Sequence, residues 1–429
     1  MFDSCEKKFI HHLVIKVTGQ DFEQLIAIER TGNGTATTLA PVIVNHLQDW
    51  NIFDRIFFLN FDTTAVNTGR FGGIAALLQR SYPEAFGFER EFILLNCRHH
   101  EHELFLAKSI KSLFPTVGDR YPFFDKFRSL FDKLDSSAIE PYFGDAIPRD
   151  EKVELLKFIS DQSRIKYGNS EYVQLLEACS LFLLRCEQPK LVKPGRYTHS
   201  RWMKPLIQLI YIYLFRNQLD NKQFDLPKIE RLCLFGVRLY SKFWFQSPVA
   251  RFAAVNDLNL FKNLRNYNDL QIRDVCLKTF DSHSSYLNSD LIGMAFFDER
   301  LSSETLAKMV KNLIREPKPF KISENTQIED LIDKSSFNFF TKSKLPHDFF
   351  SFPPSQWSQS ETYCYCNNIV RSLQVVNDTS ERTVSLCKSF VNTLSKDNSD
   401  LSNILQVVEM DIQDKPKPTK HTYGLRNQL

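Results

Sequence analysis

The pattern of apolar positions divides the chain into a beginning with alternating strands and helices and a helical remainder. Runs that are β-branched or continuously apolar predict strands at residues 12–18, 24–29, 55–61 and 92–96. Apolar residues at i, i+3 and i+4 spacing predict helices at 35–50 and 72–80. This alternation predicts an α/β sheet that presents side chains at the ends of its strands.

From about residue 101 to residue 340 the pattern changes to helices with one apolar face. The clearest cover residues 151–166, 170–187, 203–215, 226–245 and 303–316, and later ones are predicted at 361–374, 378–395 and 400–411. The predicted units are a first part of an α/β core (1–110), a helical insertion (111–360), a C-terminal part of the core (361–414) and a polar tail (415–429).

Charge and composition narrow the class of protein only a little. The net charge is +3, from 54 basic and 51 acidic side chains, so any contact with DNA must come from local basic patches. The nine cysteines follow no disulfide framework, which indicates reduced thiols inside a cell. The longest apolar run, 206–215, is too short to cross a bilayer and no signal peptide is visible, so we expect a soluble intracellular protein with no membrane partner.

Three acidic residues far apart in the chain form the most informative pattern. Asp3 lies at the N-terminus, Asp62 directly follows the predicted strand 55–61, and Glu381 lies on a predicted late helix. Two strand-end aspartates and a helical glutamate are the carboxylates that a two-metal nuclease site needs. The alternatives are structural, because an Asp after a strand is commonly a turn residue and Asp378-x-x-Glu381 has the spacing of a capping box.

Three further motifs have both a functional and a structural interpretation. Cys97-x-x-His100 follows the predicted strand 92–96, but a zinc site needs four ligands and no second pair stands at suitable spacing. Arg201-Trp202 follows a basic stretch; its indole could stack on a base, or it could cap a helical core. The glycines at residues 32 and 34 lack the Gly-Lys-Ser/Thr ending of a phosphate loop, so no nucleotide cofactor is expected.

Four of these stretches, in this order, resemble the hAT superfamily of DNA transposases. They are Phe-Asp-Thr-Thr-Ala-Val-Asn-Thr-Gly-Arg (61–70), Cys-Arg-His-His (97–100), Ser-Arg-Trp (200–202) and Thr-Ser-Glu-Arg-Thr-Val-Ser (379–385). They are similar to that family's Asp-containing strand end with a nearby Asn, its Cys-x-x-His, its Thr-Arg-Trp and its Ser-Glu-Arg-x-Phe-Ser pattern. The last stretch departs from the family, since Thr383-Val384 stands where a Phe is common.

The resemblance implies an RNase H-like mixed-sheet core that is interrupted by an all-helical insertion and completed by C-terminal helices. It implies Asp3, Asp62 and Glu381 as the catalytic carboxylates, which would bind Mg²⁺ or Mn²⁺. Two such ions stabilise the charge that develops on the attacking and leaving oxygens of a phosphodiester. Its other implied site residues are Asn67, Cys97 and His100 as supporting residues near the carboxylates, and Arg201 and Trp202 as contacts to a flipped DNA base.

The resemblance also raises expectations about partners and origin. Active family members carry an N-terminal zinc finger of the BED type, and none precedes Met1, so we expect a truncated or domesticated copy. The predicted late helix offers Val384, Leu386, Phe390 and Leu394 on one face, which favours a homo-oligomer or packing within the monomer. DNA is the expected partner and the nucleus the expected location.

Three functional hypotheses therefore remain open at this point. The first is a metal-dependent transposase that cleaves and joins DNA strands, or its degraded remnant. The second is a catalytically inactive, transposase-derived scaffold that associates with DNA or with proteins. The third is an unrelated helical, repeat-like adaptor, which would have no central sheet.

Overall fold

The structure is a computed structural model that describes residues 2–3, 8–9, 11–116, 121–167, 170–186, 189, 191–195, 203–220, 222–317, 319 and 321–377, with side chains from residue 13 onwards. Within this part the chain is a mixed α/β protein, largely helical and with small sheets, which confirms the predicted α/β class.

The strands pair in three two-stranded ladders within the described part. The strands are β1 (Phe2–Asp3), β2 (Lys8–Phe9), β3 (His11–Gly19), β4 (Phe22–Thr31), β5 (Phe58–Phe61) and β6 (Ile93–Asn96). β1 pairs with β2 and β3 with β4, both antiparallel, whereas β5 and β6 run parallel with Phe61 opposite Asn96. The four strands predicted from apolar runs are confirmed, and β5 is shorter than predicted because residues 53–55 form a 3₁₀ turn.

The first helix connects β4 to β5, and the next two connect the parallel strands β5 and β6. They are α1 (Ala36–Asp49), α2 (Ala65–Thr68) and α3 (Ile74–Phe86). α1 and α3 share a small core with Phe92, at the start of β6, and its centre is the fully buried Tyr82. The Tyr82 ring meets Phe86 and Phe92 edge-on, and its hydroxyl donates to the Phe53 carbonyl at 3.2 Å. This core fixes the segment that leads into β5.

The remaining helices build a second, larger core. They are α4 (Arg98–Leu113), α5 (Pro122–Leu130), α6 (Arg149–Ser163), α7 (Ser170–Leu183), α8 (Met203–Leu214), α9 (Leu226–Phe235), α10 (Ser241–Gln246), α11 (Ala253–Arg265), α12 (Leu270–Ser282), α13 (Ser303–Asn312), α14 (Asn338–Ser343) and α15 (Glu361–Ser372). The predicted helix 226–245 is present but contains a π-helical segment, Gly236–Tyr240, between α9 and α10. None of the helices in the described ranges is both long enough and apolar enough to span a membrane.

Helix α8 explains why the apolar run at 206–215 exists. Most of its residues lie below 2 % exposure, so the run is a central helix of the large core. The π-helical segment that continues α9 approaches it closely at Gly236, where a Cβ atom would lie 2.2 Å from Leu206 Cδ1. Glycine therefore allows the two helices to pack at this crossing.

Candidate functional site

Asp62 is the first residue after β5, and its carboxylate is held by the turn that follows. Asp62 Oδ1 accepts a hydrogen bond from the Thr64 amide at 3.0 Å and another from Asn67 Nδ2 at 2.8 Å. Asp62 Oδ2 accepts no hydrogen bond from the described residues. The role of a turn residue therefore accounts for Oδ1, whereas Oδ2 is held in place without a hydrogen-bond donor among the described residues.

The loop that carries Asn67 into α3 is closely packed at two glycines. The Gly73 amide donates to the Gly69 carbonyl at 2.8 Å. A Cβ atom on Gly73 would lie 2.4 Å from the Gly69 nitrogen and 2.8 Å from the Asn67 carbonyl oxygen, inside van der Waals contact. Only glycine fits there without a backbone shift, so this packing fixes the backbone around Asn67.

Cys97 joins the end of the neighbouring strand to the C-terminal part of the described chain. Its amide donates to the Phe61 carbonyl at 3.0 Å and so extends the parallel ladder by one step beyond β6. The buried Cys97 Sγ accepts from the Asn377 amide at 3.1 Å. The amide of Arg98 donates to the Val375 carbonyl at 2.8 Å. Residues 374–377 therefore lie at the ends of β5 and β6.

His100 is the predicted site residue that interacts electrostatically with Asp62. Burial lowers the pKa of this half-buried imidazole, and the negative charge of Asp62 opposes that shift only partly. The ring is therefore mainly neutral at pH 7. The structure thus brings Asp62, Asn67, Cys97 and His100 together at one edge of the parallel pair.

Among the described residues, no group of three or more His, Cys, Asp or Glu side chains has an arrangement that could hold a metal ion. The side chains of two of the three expected carboxylates, Asp3 and Glu381, lie outside the described residues. The backbone of Asp3 pairs with Lys8 in the β1–β2 ladder, but its side chain lies outside the described part. Glu381, with the Asp378 capping alternative, and the Arg201-Trp202 pair also lie outside the described residues.

Helix α4 starts directly after Cys97 and buries an ion pair that sequence patterns did not indicate. The Arg98 guanidinium, 1 % exposed, donates to Asp257 Oδ1 on α11 at 2.6 Å and lies 4.8 Å from the centre of the Tyr286 ring. Burial, the largest single influence, would raise the pKa of Asp257, but the Arg98 charge and the hydrogen bonds from His102 and Arg98 together outweigh it, so the pKa is lowered. Both groups are therefore charged at neutral pH, and their attraction joins α4 to α11.

Glu101, one turn further along α4, is a second buried carboxyl group, and its pKa shifts in the opposite direction to that of Asp257. Burial raises its pKa to about 8, and the negative charge of Asp257 acts in the same direction. Its Oε1 accepts from Ser285 Oγ at 2.5 Å and from Asn96 Nδ2 at 3.4 Å. Glu101 is therefore mainly protonated at pH 7, and it connects the end of β6 to the segment after α12.

Two further histidines of α4 are buried and neutral. His99 stacks on Trp244, with ring centroids 3.9 Å apart, and burial lowers its pKa to about 3. His102 Nε2 lies 3.8 Å from Asp257 Oδ1, and burial lowers its pKa as well. The sequence signal for this cluster is the density of ionisable residues between Cys97 and Glu103, which follows a buried strand directly.

The chain was compared with family models, curated proteins and solved structures, and nothing in any of the three comparisons matches it.

Proposed function

We propose that this protein is a hAT-like transposase, or a protein derived from one, that cleaves and transfers DNA strands with divalent metal ions. The observation that carries the proposal is the position of Asp62. Its carboxylate is oriented at the end of a parallel strand and keeps one oxygen without a donor among the described residues, and the strand end is joined to Cys97 and so to the residues that lead to Glu381.

The arrangement of strands supports an RNase H-like core. An antiparallel hairpin, β3–β4, precedes a parallel pair, β5–β6, that is connected through α3. Both strand directions of a mixed sheet are therefore present, and Asp62 follows the first parallel strand, but in the described part the hairpin and the parallel pair form separate two-stranded sheets. The long run of helices from α5 to α14 then corresponds to the proposed insertion, and residues 374–377 return to the strand ends.

Chain connectivity limits how far Glu381 can be from this site. Asn377 is hydrogen-bonded to Cys97 Sγ, and the Cys97 amide is hydrogen-bonded to Phe61, the residue before Asp62. Glu381 follows Asn377 by four positions, and an extended chain over four such steps spans at most about 14 Å. The proposed pairing of Asp62 with Glu381 is therefore compatible with the path of the chain.

Asp62 Oδ2, which accepts no hydrogen bond from the described residues, fits a hard divalent cation. Mg²⁺ and Mn²⁺ prefer carboxylate oxygens, and Asp3, Asp62 and Glu381 would hold them in the proposed site. When bound, such ions stabilise negative charge on the phosphodiester oxygens. Thr64 and Asn67 hold the Asp62 carboxylate in one orientation. Because burial keeps His100 mainly neutral, it does not compete with a cation as a charged partner of Asp62.

The other parts of the proposal concern residues outside the described part. We propose that Arg201 and Trp202, which directly precede the buried helix α8, support a base flipped from the duplex. The late helix would mediate homo-oligomer formation, and a protein that acts on chromosomal DNA would work in the nucleus.

The test is a plasmid-nicking assay with the full-length chain in Mg²⁺, in Mn²⁺ and in EDTA. We expect metal-dependent nicking by the unchanged protein and only the EDTA background from Asp62→Asn, which keeps the shape of the side chain and removes its charge. Asp54→Asn is the matched control, because this exposed acid lies close in sequence but outside the site. Equal nicking by Asp62→Asn, or no nicking by the unchanged protein with either metal, would refute the catalytic proposal. DNA binding without nicking would favour the transposase-derived scaffold.

A further inference from the structure

The loop at residues 69–73, which follows Asn67, presents an aromatic ring to solvent. The Phe71 side chain is 73 % exposed, although the chain buries most of its large apolar residues. A single exposed apolar side chain is common on protein surfaces. Phe71 is distinguished by the rigidity of the loop and by the charges beside it.

The 69–73 loop is held by one hydrogen bond within itself, one to α2 and one from α3. The Gly73 amide donates to the Gly69 carbonyl at 2.8 Å, and the Gly69 amide donates to the Ala65 carbonyl at 3.0 Å. The Arg80 guanidinium donates to the carbonyl of Phe71 itself. The backbone that carries the ring is therefore fixed, so a ligand that contacts the ring need not order the loop first.

Two cations contact Phe71, Arg70 at its ring and Arg80 at its carbonyl oxygen. The Arg70 guanidinium lies 5.2 Å from the centre of the Phe71 ring, and both side chains are exposed. Neither Arg70 nor Arg80 forms an ion pair with any residue in the part of the chain that the structure describes, and the Arg80 donors go to the carbonyls of Ala76 and Phe71. The loop is therefore a small positive surface with an exposed aromatic ring at its centre.

We infer that the 69–73 loop binds an unpaired stretch of the DNA strand beside the cleavage site, with Phe71 stacked on a base and Arg70 on a phosphate. This inference rests on the proposed function, because it takes DNA as the ligand. A guanidinium next to an aromatic ring is the pair of contacts by which single-stranded nucleic acid is bound without regard to sequence. Two copies of this positive loop would repel each other across a two-fold interface, so charge favours DNA over self-association.

The loop is near enough to Asp62 to position the strand that is cut. Asn67 Nδ2 lies 2.8 Å from Asp62 Oδ1, and Phe71 follows Asn67 by four residues, a span of at most about 14 Å. A strand held by Phe71 and Arg70 would therefore pass close to the Asp62 carboxylate. The two residues act as positioning residues and do not take part in the chemistry.

The test measures binding of a fluorescein-labelled single strand and of a blunt duplex by fluorescence anisotropy, in EDTA so that no cleavage occurs. Phe71→Leu keeps an apolar side chain but removes the ring, and we expect it to weaken single-strand binding by about 5- to 150-fold, the range measured for one stacked base. Phe71→Trp should retain the affinity, and the duplex should be affected less because its bases are paired. Arg70→Ala should reduce the slope of log K against log salt by about 0.7, as for one phosphate contact.

The matched controls are Phe143→Leu, whose ring is 70 % exposed, and Arg164→Ala, whose side chain is 78 % exposed. Unchanged single-strand binding in Phe71→Leu, or the same loss in Phe143→Leu, overturns the inference. A change in the sedimentation of free Phe71→Leu without a change in DNA binding also overturns it, because the loop would then be an interface between copies.

The nicking assay separates this result from the proposed function. If the unchanged protein nicks DNA while Phe71→Leu binds the single strand normally, the positioning role is wrong and the catalytic proposal stands. If the unchanged protein binds neither form of DNA, both fail. If binding depends on Phe71 but nicking is absent with both metals, the DNA-binding loop stands and the catalytic proposal fails.

Discussion

The buried carboxyl group of Glu101 leads to a prediction about stability and pH. Its pKa rises from 4.5 to about 8 on folding, because burial removes the water that would stabilise the charged form. Between these two values the folded protein holds a proton that the unfolded chain has released. Raising the pH therefore favours unfolding, and the stability that comes from the proton bound to Glu101 is lost as the pH approaches 8.

The size of the effect follows from the difference in bound protons. A full proton of difference changes the free energy of unfolding by about 1.4 kcal/mol per pH unit. From pH 6.5 to pH 8.0 the proton on Glu101 goes from almost fully bound to half bound, so we expect a loss of about 1.6 kcal/mol. The neutral histidines His99 and His102 act in the opposite direction, because their unfolded imidazoles still lose protons above pH 6.5. Because Glu101→Gln keeps both histidines, the difference between the variant and the unchanged protein reports Glu101 alone.

The assay is urea unfolding of the unchanged protein and of Glu101→Gln at pH 6.5 and pH 8.0. Glutamine keeps a carbonyl oxygen for the Ser285 hydroxyl but cannot titrate, so the variant should lack the loss of about 1.6 kcal/mol. Glu84→Gln, which removes an exposed carboxylate from α3, is the control for an unspecific effect of the substitution. The same pH dependence in the unchanged protein and in Glu101→Gln would show that Glu101 is charged in the folded protein and that the reasoning from burial is wrong.

Three other predictions test the packing around the site. Arg98→Met leaves Asp257 buried without its cation and should lower the free energy of unfolding by about 3–5 kcal/mol. The double variant Arg98→Met with Asp257→Leu should recover part of this loss in urea unfolding. If the losses of the two single variants simply add in the double variant, Arg98 and Asp257 are not coupled. Gly73→Ala creates a backbone clash and should lower the free energy of unfolding by about 1–3 kcal/mol. Gly72→Ala, which has open space at its Cβ, should lower it by less in the same assay. Asn67→Ala frees the Asp62 carboxylate and should reduce nicking while thermal unfolding stays nearly unchanged; full activity would mean that this hydrogen bond does not orient Asp62.

The sequence was sufficient to predict the strands on which the site is built. Largely apolar runs mark β5 and β6, whose residues are half-buried in β5 and alternately buried and half-buried in β6. Asp62 and Asn67 are five residues apart, so their hydrogen bond belongs to a local turn whose residue types are informative. The predicted domain boundaries and the RNase H-like topology stay predictions.

Helix α4 could not be predicted in the same way, although it forms one wall of the site. Its first turns bury Arg98, His99, Glu101 and His102, so polar residues occupy positions that the apolar pattern reserves for the core. Such burial is stable only because Asp257 and Ser285 lie opposite, 159 and 184 residues away along the chain. A pattern search within one segment contains no information about partners at that distance.

The return of residues 374–377 to the strand ends is invisible in the sequence for a different reason. Three hydrogen bonds hold this segment: Arg98 to Val375, Asn377 to Cys97 and Asn60 to Gln374. Each uses at least one main-chain amide or carbonyl group, and these groups are nearly the same for all residue types, so the sequence does not indicate them. Order along the chain suggested that the Glu381 stretch belongs with Asp62, but only these bonds supply a physical reason. They hold the chain four residues before Glu381 beside the strand that ends at Asp62, so the proposed meeting of the two carboxylates is compatible with the path of the chain. In the proposed site, the bond from Asn377 to Cys97 is the described contact that lies nearest to Glu381 along the chain.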